Sequence, residues 1–439
     1  MHLQRQHEKV SRNESQALQP AALSSKLGSI RWRICALLFF ANTINYMDRQ
    51  VLSVLAPLLQ VKIGWSEVQY GYIVVAFQAA YALGLLFVGG FIDKIGVRIG
   101  YSLTIVWWSL AAISHAFART PLAFGIARVF LGFGESGNFP AAIKTVAEWF
   151  PKKERALATG IFNSGTSVGA ILVPFLVPQI VRHFGWPWAF VMTGAFSFLW
   201  LILWWITYKS PEHHPKLRAE EMAHIRSDVA ETTITIPWSR VLRYRQTWGL
   251  VLGKFLTDPV WWFLLFWLPK YFATAFGLKM DGFALPVMLI YVVAAVGSIF
   301  GGWLPALGLK LGLSLRIARR LAMLACALCV LPILTVGSIH SLWQVVAVIS
   351  LAGAAHQGWS ANIYTVASDV FPRAAVASVI GIAGFGGAIG GMITAYVVGL
   401  VLETYHSYSG IFIVASLAYI TALAILQLMI PPSEQVHFE

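Results

Sequence analysis

TVAEWFPKKERALATGIFNSGTSVG at residues 145–169 returns further along the chain as TVASDVFPRAAVASVIGIAGFGGAIG at 365–390. Phe150-Pro151, Gly160, Gly165 and Gly169 map onto Phe371-Pro372, Gly381, Gly386 and Gly390, each displaced by 221 residues. One shared offset marks two copies of a single unit. Around the copies run apolar segments near 34–58, 68–90, 99–118, 121–143, 156–180, 187–208, 246–274, 284–308, 317–338, 341–366, 374–401 and 408–430, twelve in all. Each is long enough to cross a hydrocarbon core of about 30 Å as a helix, and none alternates in polarity as a membrane-barrel strand would. Six spans separate the copies, so both enter the membrane from the same side as parallel halves. The expected fold is an all-α integral membrane protein of twelve transmembrane helices in two pseudosymmetric six-helix bundles.

Composition agrees. In 439 residues, 58% hydrophobic and 12% charged, with mean hydropathy +0.69, the chain is too apolar for a soluble globule. The net charge of +13 would suit nucleic acid, but its distribution reads as topology. Of 32 Lys and Arg, 24 fall on one side of the proposed spans; Lys62, Arg119, Arg182, Lys270 and Lys279 fall in the opposite loops, and Arg49, Arg128 and Lys254 lie within spans. The positive-inside rule then places both termini in the cytoplasm, with contact to membrane lipid and none to nucleic acid. The domains read as a cytoplasmic tail 1–30, a bundle 31–208, a cytoplasmic linker 209–245, a second bundle 246–430 and a tail 431–439. The polar first 30 residues show no short apolar core with a cleavage site, so no removable signal peptide is expected. Cys35, Cys326 and Cys329 lie in apolar spans and read as packing sulfurs.

Ionisable residues at membrane depth mark a substrate path, a proton relay or a buried pair. Arg128 and Glu135 are seven residues apart in the fourth span, about two turns, so they face one way. Asp48 and Glu135 each lie about 15 residues into their span, near the bilayer centre at about 1.5 Å per residue. A buried carboxylate whose arginine partner moves away can change protonation, which makes Asp48, Arg128 and Glu135 a proton-coupling set; the alternative is static neutralisation of Asp48 by Arg128. Arg49 offers a guanidinium fork to a substrate carboxylate. Lys254 and Asp258, four apart in the seventh span, form either an intrahelical pair or, through Lys254, a second cation for the substrate. In the tenth span His356, Gln357, Ser360, Asn362 and Tyr364 are polar; Gln357, Ser360 and Tyr364 make one stripe able to read hydroxyls, whereas His356 reads as a structural histidine. The glycines of the copies lie within spans and allow close helix packing. Trp107-Trp108 and Trp204-Trp205 read as lipid-facing or interfacial. No nucleotide loop, metal cluster or nucleophile triad is present in the sequence, which points away from an enzyme and implies no cofactor or metal, with the proton as coupling ion.

The loop after the second span, GGFIDKIGVRIG, resembles the signature of the major facilitator superfamily, with Gly89, Asp93, Lys94, Gly96 and Arg98 in order. The resemblance implies a charged gating latch formed by Asp93, Lys94 and Arg98. Val97 replaces the usual basic residue, and the equivalent loop after the eighth span has Pro305 where an acid is expected, so the latch would be one-sided. More narrowly, NYMDR (45–49), RVFLGFGESGNFPAAIK (128–144), AEWFPKKERALATGIFNSG (147–165), KFLTDPVWWFLLFWLPKYF (254–272) and AHQGWSANIYTVASDVFP (355–372) resemble the anion:cation symporter family, the last two most like bacterial hexuronate transporters. That resemblance implies coupling through Asp48 and Glu135, linked by Arg128, and a substrate site of Tyr46, Arg49, Tyr81, Asn163, Lys254, Gln357, Ser360, Asn362 and Tyr364. Asn163 has Gly384 as its repeat counterpart, where aldonate carriers tend to have asparagine.

The expected function is proton-coupled symport of a small organic anion, a hexuronate such as glucuronate or galacturonate, by a monomer in a bacterial inner membrane, using alternating access. The alternatives are another organic acid on the same scaffold and a membrane sensor that transports nothing. Offset by 221, Arg128 falls on Ile349 and Glu135 on His356, so coupling belongs to the N-terminal half.

Overall fold

The computed structural model describes residues 30–227, 238–371 and 373–430; the tails, the middle of the linker and Pro372 lie outside it. In chain order the helices are α1 (Ile30–Ile63), α2 (Glu67–Ile95), α3 (Val97–Ser114), α4 (Pro121–Glu135), α5 (Asn138–Trp149), α6 (Lys152–Phe184), α7 (Trp186–Thr207), α8 (Ala219–Ile225), α9 (Trp238–Val241), α10 (Arg245–Phe276), α11 (Met280–Lys310), α12 (Leu315–Val330), α13 (Leu342–Val370), α14 (Arg373–Tyr405) and α15 (Ser409–Met429). Taking α4 and α5 as one broken span, six spans precede α8 and six follow α9. Successive spans run antiparallel, so the start of α1 and the end of α15 share one face, here the terminal face; the other is the distal face.

Nine of the described helical segments are long and apolar enough to cross a membrane by length and composition alone. The other three spans are α1, α4–α5 and α13, two weakened by interior polar residues and one by a break, and they carry most of the candidate site. The helices overshoot the apolar runs by about a turn because hydropathy marks only the part in hydrocarbon, while capped, charged ends project beyond it. Ser66 caps α2 in a reciprocal box with Gln69, and Thr120 caps α4.

The 221-residue repeat is a packing rule. A Cβ on Gly165 or Gly169 of α6 would collide with backbone of Phe39 and Thr43 of α1, and one on Gly386 or Gly390 of α14 with backbone of Val251 and Phe255 of α10. Each copy thus lays its glycine face on the first helix of its own half, as close helix crossings in membranes require. Gly160 and its counterpart Gly381 meet nothing within 4 Å. Gly169→Ala should therefore lower stability by about 1–3 kcal/mol through overpacking, whereas Gly160→Ala should leave the melting temperature in detergent unchanged or raised; equal losses would show that Gly169 is not a tight contact.

Several expectations change. The fourth span breaks between Glu135 and Asn138, where Gly134 and Gly137 let the chain press on Trp107–Trp108 and Thr104 of α3 too closely for side chains. Pro305 lies inside α11 and not in a loop. Trp108 and Trp204 are buried, Trp108 Nε1 donating to Ser197 Oγ at 3.1 Å and Trp204 stacking on Tyr208 at 4.0 Å; only Trp107 and Trp205 face outward. Lys270, counted among loop cations, is buried inside α10. The linker contains α8, which docks on the N-terminal half: Arg31 bridges Glu154 (2.9 Å) and the buried Glu221 (3.1 Å), and His224 meets Glu154 at 2.8 Å. Burial opposes ionisation of Glu154, but the bonds from Arg31 and His224 outweigh it and hold the carboxyl below the ordinary 4.5.

The halves meet along α2 with α14, α6 with α11, and α1 with α10. Besides a bond from Gln50 to Tyr291 near the middle of α1, polar bridges between them lie at the distal end. Tyr70 Oη donates to Phe266 O (2.6 Å), Val68 N donates to Glu403 Oε2 (3.0 Å), and Lys270 pairs with Glu67 (2.5 Å). Arg182 pairs with Asp281 (2.6 Å) across the opposite seam.

Candidate functional site

The segment NYMDRQ in the middle of α1 faces inward almost throughout, with Asn45, Asp48, Arg49 and Gln50 each no more than 2% exposed. Adjacent helix residues diverge by about 100°, so Asp48 and Arg49 serve different surroundings. Arg49 points toward the seam between the halves. Its Nε and NH2 both reach Glu135 Oε2, at 3.0 and 2.9 Å, and NH2 donates to Asn45 Oδ1 at 3.4 Å. Its guanidinium carbon lies 4.5 Å from the Tyr46 ring, 4.8 Å from Tyr81, 5.2 Å from Phe77 and 5.9 Å from Trp262, the last supplied by the C-terminal half. Glu135 is the last residue of α4, where the helix dipole opposes a carboxylate, so the ion pair also offsets that placement.

The partner of Glu135 in this structure is thus Arg49. Arg128, two turns earlier on α4, donates through NH1 to the Arg49 carbonyl at 3.1 Å, linking the two elements through backbone; its Nε and NH2 are buried without hydrogen bonds. Asp48 turns into the N-terminal bundle, where its polar neighbours are the hydroxyls of Thr193 and Ser197 of α7. Static neutralisation of Asp48 by Arg128 therefore has no direct bond behind it here. The structure brings Asp48, Arg49, Arg128 and Glu135 into one cluster, in which Arg49 contacts Glu135 directly and Arg128, the link the resemblance implies, reaches the Arg49 carbonyl.

Across the seam, Lys254 of α10 meets Asp258 Oδ2 at 2.9 Å and donates to Tyr364 Oη of α13 at 3.3 Å. The intrahelical pair and the contact to the polar stripe coexist. Two polar sets therefore face the seam, Glu135 with Arg49 from the first half and Asp258 with Lys254 and Tyr364 from the second. Gln357 and Ser360 are half-buried on the Tyr364 face of α13, and Asn163 is exposed.

Other expected members stand elsewhere. Asn362 donates through its amide to both Gly301 O and Gly358 O at 2.8 Å, tying α13 to α11 where the two glycine backbones touch. His356 hydrogen-bonds Tyr419 Oη at 2.6 Å and stacks on Trp261. Arg98 donates to Trp205 O at 2.9 Å and lies over that ring, within its own half; Lys94 is exposed, and the Asp93 side chain lies outside the described residues. Sequence reasoning missed Phe77 and Trp262, which wall Arg49, and Gln50, whose amide donates to Tyr291 Oη across the seam at 2.9 Å. Gln50 was detectable as one more polar residue at membrane depth; the aromatics look like any core residue.

A family model described as Major Facilitator Superfamily matches residues 38–312 and 311–438. The chain belongs to this superfamily. It is 31% identical to the hexuronate transporter of Escherichia coli (strain K12) over 86% of this chain and 89% of that relative, and 32% identical to the galacturonate transporter of Dickeya chrysanthemi over 73% of this chain and 95% of that one. Among solved structures, a D-xylose-proton symporter superposes on this facilitator with a TM-score of 0.73 at 15% identity, covering 93% of this chain and 99% of the other. A bacterial homolog of the human lysosomal transporter Spinster gives 0.66 at 19%, covering 91% and 95%. The major facilitator fold, with twelve spans in two bundles, is thereby the fold of this multi-pass membrane protein.

Proposed function

We propose that this facilitator takes up a hexuronate, such as glucuronate or galacturonate, together with protons. The observation that carries the reading is the buried Arg49–Glu135 ion pair at the seam, facing Lys254 and Tyr364 of the other half. A substrate carboxylate can take the two parallel donors of Arg49 only by displacing Glu135. A carboxylate relieved of its cation in a dry site takes up a proton, so anion and proton enter together. Asp48, buried beside the hydroxyls of Thr193 and Ser197, is the second proton carrier, and Arg128 holds the α1 backbone between them. Lys254 faces the far end of the anion, while Tyr46, Tyr81, Asn163, Gln357, Ser360 and Tyr364 supply hydroxyl and amide partners. Asn362, spent on backbone carbonyls, acts by positioning α13. Coupling is needed energetically: moving one negative charge into a cell at 100 mV inside-negative costs about 2.3 kcal/mol.

With the terminal face in the cytoplasm of a bacterial inner membrane, the distal bridges close the outer side. The reading is then of an inward-facing state, and rocking would require Lys270, Tyr70 and Glu403 to release their partners. Other sugar acids remain the second reading, since relatives of this chain include a D-galactonate transporter at 26% identity; Gly384, where those carriers tend to have asparagine, favours the hexuronate. Proteoliposomes should accumulate labelled glucuronate or galacturonate when an inward proton gradient is imposed. Uptake undiminished after the gradient is collapsed would refute coupling, and preference for galactonate in a ligand-stabilisation panel would replace the substrate.

A further inference from the structure

On the distal face, away from the Lys270–Glu67 bridge, a crevice of about 460 Å³ opens between the two halves. Its floor is apolar, made by Val54, Pro57 and Leu58 of α1, Pro178 of α6 and Phe283 of α11. At about 1.5 Å per residue, positions 54 to 58 lie roughly 9 to 15 Å beyond Asp48, within the outer part of a hydrocarbon layer whose half-thickness is about 15 Å. The rim is charged. Arg182 and Lys279 line it, and Lys62 stands one turn beyond Leu58 on the same face of α1, at headgroup depth. The distal side has only five Lys or Arg. Lys270 is buried against Glu67, and Arg119 is held by the carbonyls of Ala116 and Ala118 and by the Trp186 ring. Of the remaining three, Arg182 and Lys279 line this one mouth and Lys62 follows its floor along α1, on a face where the topology otherwise keeps cations scarce. Asp281, paired to Arg182, offsets one of them.

We propose that this crevice binds an anionic phospholipid of the distal leaflet, with an acyl chain on the apolar floor and the phosphate against Arg182 and Lys279. The depth of the floor and the charge of the rim match the two parts of that molecule at the two levels where a bilayer places them. The walls come from both halves, so the site is complete only while the distal ends are together, and a bound lipid stabilises that closed arrangement by linkage. The proposal rests on the membrane fold and is independent of the sugar-acid reading.

Native mass spectrometry of the purified full chain, titrated with dioleoylphosphatidylglycerol or dioleoylphosphatidylcholine, tests it. Phosphatidylglycerol should be retained preferentially, and Lys279→Gln should weaken that retention about 5-fold, the effect of one cation near a phosphate, while Arg119→Gln, the same charge change on the same face, should not. Leu58→Trp should displace both lipids by filling the floor, in protein that still elutes as a single folded species. Equal retention of the two lipids, or equal effects of Lys279→Gln and Arg119→Gln, would overturn the proposal. Displacement of phosphatidylglycerol by millimolar inorganic phosphate would overturn it in favour of a site for free anions.

Discussion

Glu135→Gln should abolish gradient-driven accumulation of hexuronate while leaving counterflow exchange in place. Glutamine keeps a carbonyl oxygen able to accept from Arg49, whose Nε and NH2 now both meet Glu135 Oε2, so the seam should hold its shape. What it lacks is a site for a proton. An uncoupled monoanion facing 100 mV inside-negative should settle about 50-fold below its outside concentration. Counterflow, which needs only binding and reorientation, is the control. Loss of both activities would assign Glu135 a structural role and leave coupling to Asp48 alone.

Arg49→Gln should be the most damaging single change, in stability and in transport together. It strands Glu135, 0% exposed, without its counter-charge, and breaking a buried pair from one side costs about 3–5 kcal/mol. Adding Glu135→Gln should restore most of the melting temperature, since the stranded charge is gone, yet restore no transport, since no fork remains for the substrate. Arg49→Lys should also fail: an ammonium is a point charge that cannot make two parallel bonds, and the flat guanidinium lies among the rings of Tyr46, Tyr81, Phe77 and Trp262. Losing such a buried charged contact weakens binding by about 2–5 kcal/mol. Recovery of binding in the double variant would show that Arg49 neutralises Glu135 and does not hold substrate.

The polar residues of the site were visible in the sequence because their presence in hydrocarbon is itself the anomaly. Asp48, Arg49, Arg128, Glu135 and Lys254 are all buried, and Tyr364 contacts Lys254. Their partners were not legible. Heptad spacing put Arg128 and Glu135 on one face, but Glu135 pairs with Arg49 of α1, and spacing along one helix says nothing about which neighbour approaches. The resemblance implied a substrate site that included Asn362; its amide nitrogen donates to Gly301 and Gly358, a matter of which helix lies behind it. Trp108 and Trp204 looked lipid-facing because apolarity in a membrane protein does not separate core from lipid.

What the chain by itself determined is what periodicity and solvation control: twelve spans, a duplicated half, the excess of cations on one face and the few charges placed at membrane depth. Backbone polar groups must be satisfied within each span, so length and apolarity are enough to write the helices. Only the tertiary structure decided how the charges pair, which glycines touch a neighbour, that Lys270 is buried across the seam and that the distal ends are the ones bridged. Those outcomes depend on distances between residues far apart in the chain, and in a protein built to rock between two arrangements one sequence must support more than one set of them.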